Sequence, residues 1–468
     1  MKVRGPIADG TDSFKGETVG LTNFFAIQNL SPSKTERMQE GWREQTQSIF
    51  ASAELGYKST YYITLTGRND WPSQLAGPNS KSKSFFYPSV GASVVLSELM
   101  PKLNKDYLSY MKLRGSWASV GSAFGRYLAN PRYEWTANSA QWSIMTQYPL
   151  YNLKPERTQS FEVGLTMRFL KNFDLDITYY NAKTMNQTFN PQLPVSGWSA
   201  MYIQTGAVRN QGIELSLGYK NTWNKFSWDT GFTFSMNRNK ILTLASDAIN
   251  PITGENFSIG TLNMGGLGEA RFLLKEGGSM GDLYSFIDLK RDTNNKIYID
   301  QAGKMTTETI KDPKKYIKLG SVLPKGNLAW RNNFSWNNFN AGFLVSARLG
   351  GVVFSRTQAM LDYYGVSEAT AEARDHGYVL VNGNDCVNPE TWYGIIGGGT
   401  SVPQYYTYSA TNVRLQEVSL GYTFPRKMLH NICDIKISMI GRNLWMIYNK
   451  APFDPESIAS TDNFYQGI

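Results

Sequence analysis

Residues 161–185 read FEVGLTMRFLKNFDLDITYYNAKTM, and this stretch decides the fold. Up to residue 169 every second side chain is apolar, with charged and small polar residues between them. The alternation resumes after Leu170-Lys171-Asn172 and continues to Tyr179. A period of two residues indicates β-strands, and the short interruption indicates a tight turn between two antiparallel strands. The stretch therefore predicts a hairpin with one apolar face and one polar face that meets water.

The same hairpin pattern recurs along the chain. Four further stretches carry it, at residues 48–68, 212–237, 328–350 and 418–442, and two weaker pairs lie near Phe85 to Val120 and Arg271 to Leu289. Together they predict about fourteen or fifteen strands of roughly 9–12 residues, which is the length that crosses a bilayer when the strand is tilted. Strands of soluble proteins are shorter, so this length favours a membrane.

The predicted connections alternate between short turns and long segments. The long segments, rich in Gly, Asn, Ser, Trp and Tyr, are residues 69–84, 121–157, 186–209, 240–268, 292–324 and 351–408. Aromatic residues collect near the ends of the strands, as expected of a girdle at the membrane–water interface: Tyr57, Tyr61, Tyr179, Tyr180, Tyr219, Trp223, Phe226, Trp336, Phe339, Tyr422 and Phe424. The pattern predicts an all-β fold, an antiparallel transmembrane β-barrel with short periplasmic turns and long extracellular loops.

Composition is compatible with such a barrel. Apolar residues make up 41% of the 468-residue chain, its mean hydropathy is −0.36, and it has no apolar run long enough for a transmembrane helix. The formal charge is +9, but the Lys and Arg residues are scattered, which argues against nucleic-acid binding. Cys386, Cys433, His376 and His430 fit no zinc spacing.

The sequence lacks three common motifs of metalloproteases, nucleotide hydrolases and dinucleotide-dependent enzymes. HExxH, a Walker A loop and GxGxxG are all missing. Asp174 and Asp176 share one face of a predicted strand and resemble a paired acid, but charges that line a lumen explain them better. We therefore expect no enzymatic activity.

One segment has the composition of a weak calcium-binding loop. In RDTNNKIYIDQAG, residues 291–303, Asp292, Asn294 and Asp300 stand roughly at the offsets of an EF-hand loop. Lys296 occupies a ligand position, Ile297 replaces the turn glycine, and no Glu closes the loop. A plain turn is the main interpretation, with calcium as the alternative.

Aromatic side chains in the long segments are the candidate substrate-binding residues. Their faces stack on the C–H faces of sugars, while neighbouring Asn and Gln bind hydroxyl groups. The candidates are Trp135, Trp142, Tyr148, Trp198, Tyr202, Trp392, Tyr393 and Tyr405. The alternatives are that these residues pack the loops together or contact a partner protein.

Several stretches together resemble one family, the SusC/RagA-type TonB-dependent transporters of Gram-negative outer membranes. The most telling are GAVRNQGIELSL, KLGSVLPKGNLAWRNNFSWNNFNAGFLVSARLGG and NVRLQEVSLGYTFPRKML, at residues 206–217, 318–351 and 412–429. Blocks at residues 61–71, 85–98, 110–122, 153–184 and 441–456 continue the resemblance in the order of the family.

The resemblance implies a TonB-dependent importer of oligosaccharides or peptides in the cell outer membrane. Its implied partners are a SusD-like lipoprotein that caps the loops, TonB, outer-membrane lipid and the substrate, and the family often carries a calcium-like loop where residues 291–303 lie. Family members have a signal peptide, a TonB-contacting segment and a plug before a roughly 22-stranded barrel. Residues 1–468 are therefore expected to be a partial barrel domain, with the plug, the TonB-contacting N-terminal part and the terminal strand missing.

Two other classes of protein stay open at this point. A passive porin or a structural or adhesive outer-membrane barrel shares every strand feature described above. A soluble all-β glycan-binding module would use the same aromatic residues as a lectin does, but it would not partition with membranes.

Overall fold

The alternating stretches form one antiparallel sheet of thirteen strands, in which each strand pairs with the next along the chain. The strands are β1 (Lys2–Arg4), β2 (Glu44–Tyr57), β3 (Tyr61–Pro72), β4 (Phe85–Val95), β5 (Leu108–Ser122), β6 (Glu156–Phe169), β7 (Phe173–Phe189), β8 (Ile203–Trp223), β9 (Phe226–Thr243), β10 (Gly326–Trp336), β11 (Phe339–Leu349), β12 (Asn412–Thr423) and β13 (Lys436–Asn449). The predicted all-β antiparallel barrel fold is confirmed.

The structure is a computed structural model. It describes residues 2–4, 11–15, 36–40, 43–77, 80, 82–100, 102, 104–123, 125, 135–136, 141–142, 147–148, 154–189, 200–201, 203–249, 254–425, 428, 432–456, 458–460 and 463–466. Within these ranges, no helix is both long and apolar enough to span a bilayer. Cys386 and Cys433 are both free and exposed.

The tight turns within the hairpins have the predicted positions. Lys58 and Ser59 adopt positive φ angles of 53° and 50°, and Leu170 and Lys171 adopt 49° and 65°. Asn337 does the same, at 52°. Left-handed turn residues give the backbone the twist that matches two antiparallel strands. These turns fix the register of each hairpin and therefore the face on which each side chain lies.

The register separates an apolar face from a polar face. At mid-height an apolar row crosses five strands through Leu165, Ile177, Leu215, Phe234 and Leu328. The adjacent row on the other face holds Thr166, Asp176, Ser216, Thr233 and Ala329. We assign the apolar face to lipid and the polar face to the lumen, because backbone groups in hydrocarbon are paired within the sheet and only side chains meet lipid.

Aromatic rings cluster in a girdle at the rim of short turns. Ring centroids lie 5.4 Å apart between Phe169 and Phe173, and 4.7 Å apart between Phe173 and Tyr219. Phe339 and Tyr422 continue the girdle at 4.8 Å on β11 and β12. Such contacts suit the interface, where rings meet both lipid and water. Tyr179 and Tyr180 are an exception, since β7 continues to Phe189 and places them in mid-strand.

Two details of the predicted strands were wrong. The described part of the sheet has thirteen strands, and apart from β1 these have 11 to 21 residues instead of roughly 9–12. The predicted pair at Arg271 to Leu289 does not join this sheet. Its strands Ala270–Lys275 and Asp282–Ser285 belong to a separate sheet of four strands, because they pair with Thr261–Leu267 and Ile317–Ser321 instead of with the barrel strands.

Two long connections, residues 244–325 and 350–411, fold into a structure that we call the loop head. Its helices are α1 (Arg356–Tyr363), α2 (Glu368–His376) and α3 (Pro389–Ile396). Its strands are Ala245–Ile249, Asn256–Ile259, Thr261–Leu267, Ala270–Lys275, Asp282–Ser285, Ile287–Leu289, Thr307–Thr309, Ile317–Ser321, Val352–Phe354, Val379–Val381, Asp385–Val387 and Thr407–Ser409. Outside the head, short described strands are Thr11–Lys15, Glu36–Glu40, Trp135–Thr136, Gln141–Trp142, Gln147–Tyr148, Ala200–Met201, Ile458–Ser460 and Asn463–Gln466.

One hydrophobic core joins the two connections of the loop head. Ala270 and Leu283 from the first connection pack with Phe354, Trp392 and other residues from the second. Polar contacts also cross between them, since the Gln404 side chain donates a hydrogen bond to the Ile287 carbonyl oxygen at 2.9 Å. The head is therefore a folded unit on the long-loop rim, and its size exceeds that of ordinary loops.

Candidate substrate-binding surface

The lumen wall carries an ion-pair network across β5, β6 and β7. The Arg114 guanidinium donates to both carboxylate oxygens of Asp176, at 2.8 and 2.9 Å. It also donates to the hydroxyls of Thr166 and Thr178, at 2.7 and 2.6 Å. A bidentate ion pair is rigid when the neighbouring polar groups are also hydrogen-bonded to it. Asp176 is therefore part of the wall, as predicted for a lumen charge.

Gly164 makes this network possible. It lies opposite Arg114 on β6, between Arg114 and the carboxylate on β7. A Cβ atom at Gly164 would lie 2.5 Å from Cζ of Arg114, well inside van der Waals contact. The missing side chain therefore lets the guanidinium lie flat across β6 and reach Asp176.

Replacement of Gly164 by alanine is expected to displace Arg114 and break the network. We expect a loss of about 1–3 kcal/mol, the usual cost of overpacking. The thermal transition of the folded barrel, followed by its heat-modifiable migration on a gel, measures this loss. Gly115→Ala is the matched control, because its new Cβ would meet only the Glu162 carbonyl oxygen, at 3.8 Å. Equal transitions for the two variants would contradict the role given to Gly164.

The three helices of the loop head begin at capping residues. The hydroxyl of Ser355 accepts from the backbone N–H of Gln358, and that of Ser367 accepts from Thr370. The Asn388 side chain caps α3, with Pro389 as its first residue. These are standard helix N-terminus signals, and they position the three helices around one cavity.

This cavity has a volume of about 510 Å³, and we call it the tyrosine cavity. Its main lining side chains are Asp362, Tyr363, Tyr364, Arg374, Glu390 and Tyr393. The cavity wall thus combines aromatic rings with two carboxylates and a guanidinium group. A volume of this order suits a few sugar or amino-acid units.

The phenols of Tyr393 and Tyr405 stay neutral at physiological pH, because the pKa of each is raised. Burial raises the pKa of Tyr393, and nearby Asp362 raises it further. Burial likewise raises the pKa of Tyr405. The Tyr393 hydroxyl donates to the Ala369 carbonyl oxygen at 3.3 Å, which fixes the ring at the cavity wall. Its face is therefore the part that a ligand can meet.

The predicted aromatic residues fall into separate groups. Trp135 pairs with Trp142 across a two-stranded hairpin, and the Trp142 side chain is 63% exposed. Tyr148 pairs with Met201, so the second and third long connections meet there. Trp198 and Tyr202 lie outside the described residues.

Trp392 and Tyr405 lie in or against the core of the loop head. Trp392 is only 9% exposed, and its ring meets that of Tyr405 edge-on, with 5.2 Å between centroids. These two residues pack the connections together, which is the alternative to substrate binding for the loop aromatics. Of the candidates that the structure describes, Tyr393 is the one that lines the tyrosine cavity.

The calcium-like loop consists of two independent turns. An Asp292 carboxylate oxygen accepts from the backbone N–H groups of Asn294 and Lys296, and an Asp300 oxygen accepts from Ala302 and Lys304. Each carboxylate thus caps its own turn, so the set does not fit a shared cation. Across the described ranges, no group of three acidic, His or Cys residues has the geometry of a metal site.

Most residues of the tyrosine cavity are not predicted from the sequence. Tyr363, Tyr364, Arg374 and Glu390 lie in residues 351–408, which the sequence predicts to be one long loop. The sequence does contain N-cap residues that indicate three helices in this segment: Ser355, Ser367 and Asn388-Pro389. No residue pattern near these helices indicates that they pack against the connection at residues 244–325.

Comparisons with known proteins agree with the fold. The family described as "TonB dependent receptor-like, beta-barrel" matches residues 8–382. TonB-dependent receptor P3 of Formosa agariphila is 23% identical over 489 residues, which cover 96% of this chain and 46% of that protein. TonB-dependent receptor SusC of Bacteroides thetaiotaomicron is 24% identical over 407 residues, 82% of this chain and 38% of that protein.

A solved structure shows the same architecture. The RagAB peptide importer in its closed-closed state aligns with a TM-score of 0.69 at 19% identity, covering 95% of this chain and 48% of that one. Its open-open state gives a TM-score of 0.66. The chain spans about half the length of the relatives that it matches.

Proposed function

This chain belongs to the TonB-dependent receptor-like β-barrel family, and from that premise we propose that it serves an outer-membrane importer of oligosaccharides or peptides. In this proposal a SusD-like lipoprotein closes over the long-loop rim, and TonB supplies the energy. The barrel provides the wall, the lumen and the loop head, and performs no covalent chemistry. The family consists of receptors and transporters of the outer membrane.

The observation that carries the proposal is the tyrosine cavity on the long-loop rim. An importer must hold its substrate on the outer side before the lumen opens, and a concave aromatic surface with charged groups at its edge does this. The rings of Tyr363 and Tyr364 meet edge to face, with 5.2 Å between centroids, but Tyr364 is still 67% exposed and Tyr363 50% exposed, so part of each ring is open to a ligand. The phenol rings suit a sugar, while Arg374 and Glu390 suit peptide termini, so both substrate classes stay in the proposal.

A test of energy coupling separates import from passive passage. Cells that carry the intact protein would be given labelled neutral oligosaccharides or labelled short peptides, with and without a protonophore. We expect uptake of one class to stop with the protonophore and in a strain without TonB. Uptake that is unchanged in both cases would instead favour the passive porin.

Replacement of Tyr364 by alanine is expected to weaken substrate binding without loss of fold. We expect about a tenfold weaker affinity, or about 1.4 kcal/mol, because a stacking face is removed. Binding of the same oligosaccharide and peptide panels to the purified protein measures this. Tyr378→Ala is the matched control, since Tyr378 is 44% exposed but does not line the cavity. If both variants bind equally well, the cavity is not the substrate site.

A further inference from the structure

Basic side chains form a patch on the lipid-facing side of β7, β8 and β9. The register places Lys183 opposite Arg209, and Arg209 opposite Lys240. One step lower, Gln211 lies opposite Arg238. Adjacent strands are about 4.8 Å apart, so the first three cations lie side by side within about 10 Å. We call Lys183, Arg209, Arg238 and Lys240 the rim cations.

The rim cations lie directly above the membrane-facing apolar surface. Arg209 and Gln211 share the face of Ile213 and Leu215, and Arg238 shares the face of Met236. Positions two residues apart on a strand are separated by roughly 7 Å. The patch therefore begins within about one such step of the apolar row formed by Ile213 and Met236, on the long-loop side. This is the height of lipid head groups, since long loops mark the outer side of such barrels.

The rim cations have no counter-charge of their own. Within the described residues, no ion pair or side-chain hydrogen bond satisfies any of the four. The Nε atom of Arg209 is shielded from solvent and has no hydrogen-bond acceptor there. Like charges opposite one another on a sheet are destabilising, and a buried unpaired donor adds to the cost. An anion with several oxygen atoms would offset both effects.

A cavity of about 600 Å³ adjoins three of these cations. Arg209, Arg238 and Lys240 line it on the side of the strands, and Lys318 and Lys325 line it on the side of the loop head. Asp282 is the acidic residue among the lining residues, and it already pairs with Lys318 and accepts from the Ser279 hydroxyl. The positive charges of the other lining cations are therefore not neutralised by Asp282.

We propose that the rim cations bind the phosphorylated sugar head group of an outer-leaflet glycolipid. In Gram-negative outer membranes this leaflet consists of a glycolipid that carries phosphate on its sugars. A phosphate offers several strong acceptor oxygens, and guanidinium groups bind such groups in a bidentate manner. Basic pockets next to a membrane-spanning surface bind anionic head groups in the same way. The acyl chains would then lie against the apolar face below.

The test compares phosphorylated lipid A with its dephosphorylated form and with inorganic phosphate. The full protein would be purified in a neutral detergent, stripped of lipid, and titrated with each probe. The variant Arg209→Gln/Lys240→Gln removes two rim cations. We expect its affinity for phosphorylated lipid A to fall about fivefold per cation removed, or about 25-fold in all. We expect this affinity also to fall as salt is added.

The matched control uses the same hairpin at its opposite end. Lys220→Gln/Lys225→Gln removes two exposed cations at the short-turn rim, and should leave the affinity for phosphorylated lipid A unchanged. Circular dichroism and heat-modifiable migration check that both variants fold. Equal losses in the two variants would overturn the proposal, as would equal binding of dephosphorylated lipid A. Inorganic phosphate that binds as tightly as the glycolipid would overturn the assignment to a lipid.

Discussion

Trp392→Ala is expected to unfold the loop head while the barrel stays folded. Trp392 is almost fully buried where the two long connections meet, and it contacts Tyr405. Truncation of a buried tryptophan costs about 3–5 kcal/mol, through lost apolar contact and the cavity that remains. The barrel has its own hydrogen-bonded ladder and does not depend on this core.

Limited proteolysis of protein in outer-membrane vesicles measures this effect. We expect rapid cleavage within residues 244–325 and 350–411 of the variant, and unchanged heat-modifiable migration of the barrel. Tyr364→Ala is the control, because Tyr364 is an exposed aromatic residue of the same head. Equal protease resistance of Trp392→Ala and the parent protein would show that the two connections do not share a core.

Leu215→Arg is expected to impair barrel folding far more than the same change at its neighbour Ser216. Leu215 lies in the middle of the apolar row across β6 to β10, whereas Ser216 lies on the polar face. An arginine that faces lipid near the bilayer midplane costs about 2–4 kcal/mol, and an arginine in a wet lumen costs far less.

Refolding into phosphatidylcholine vesicles over a urea series measures this difference. The pair of variants is well matched, since adjacent residues of one strand receive the same side chain and differ only in the face. A larger loss for Ser216→Arg would reverse our assignment of the two faces. Equal losses would mean that neither face meets lipid at this height, as in a soluble sheet.

The sequence predicts the barrel well because its determinants are local. Apolar alternation reports the face of each side chain, and turns such as Lys58–Ser59 and Leu170–Lys171 fix the register within a hairpin. Strand length was underestimated for a physical reason. β8 continues from Trp223 back to Ile203, past the apolar band, where Arg209 and Gln211 interrupt the alternation but the ladder persists.

The loop head was not predictable in the same way. The helix caps at Ser355, Ser367 and Asn388 are visible in the sequence, yet they do not reveal what the helices pack against. That core depends on contacts such as the one between Gln404 and Ile287, which are 117 residues apart. Trp392 therefore looks the same in sequence as an exposed binding residue, and only its surroundings show that it is buried.

The shared core of the loop head also limits how such a surface can diversify. Neither connection can be exchanged alone for that of a relative, because Ala270 and Leu283 would then face a core built for other partners. New specificity must arise by paired exchange of both connections, or by changes confined to exposed cavity residues such as Tyr364. The head also consolidates late in biogenesis, since β9 to β12 must all be synthesised and aligned before its two halves can meet.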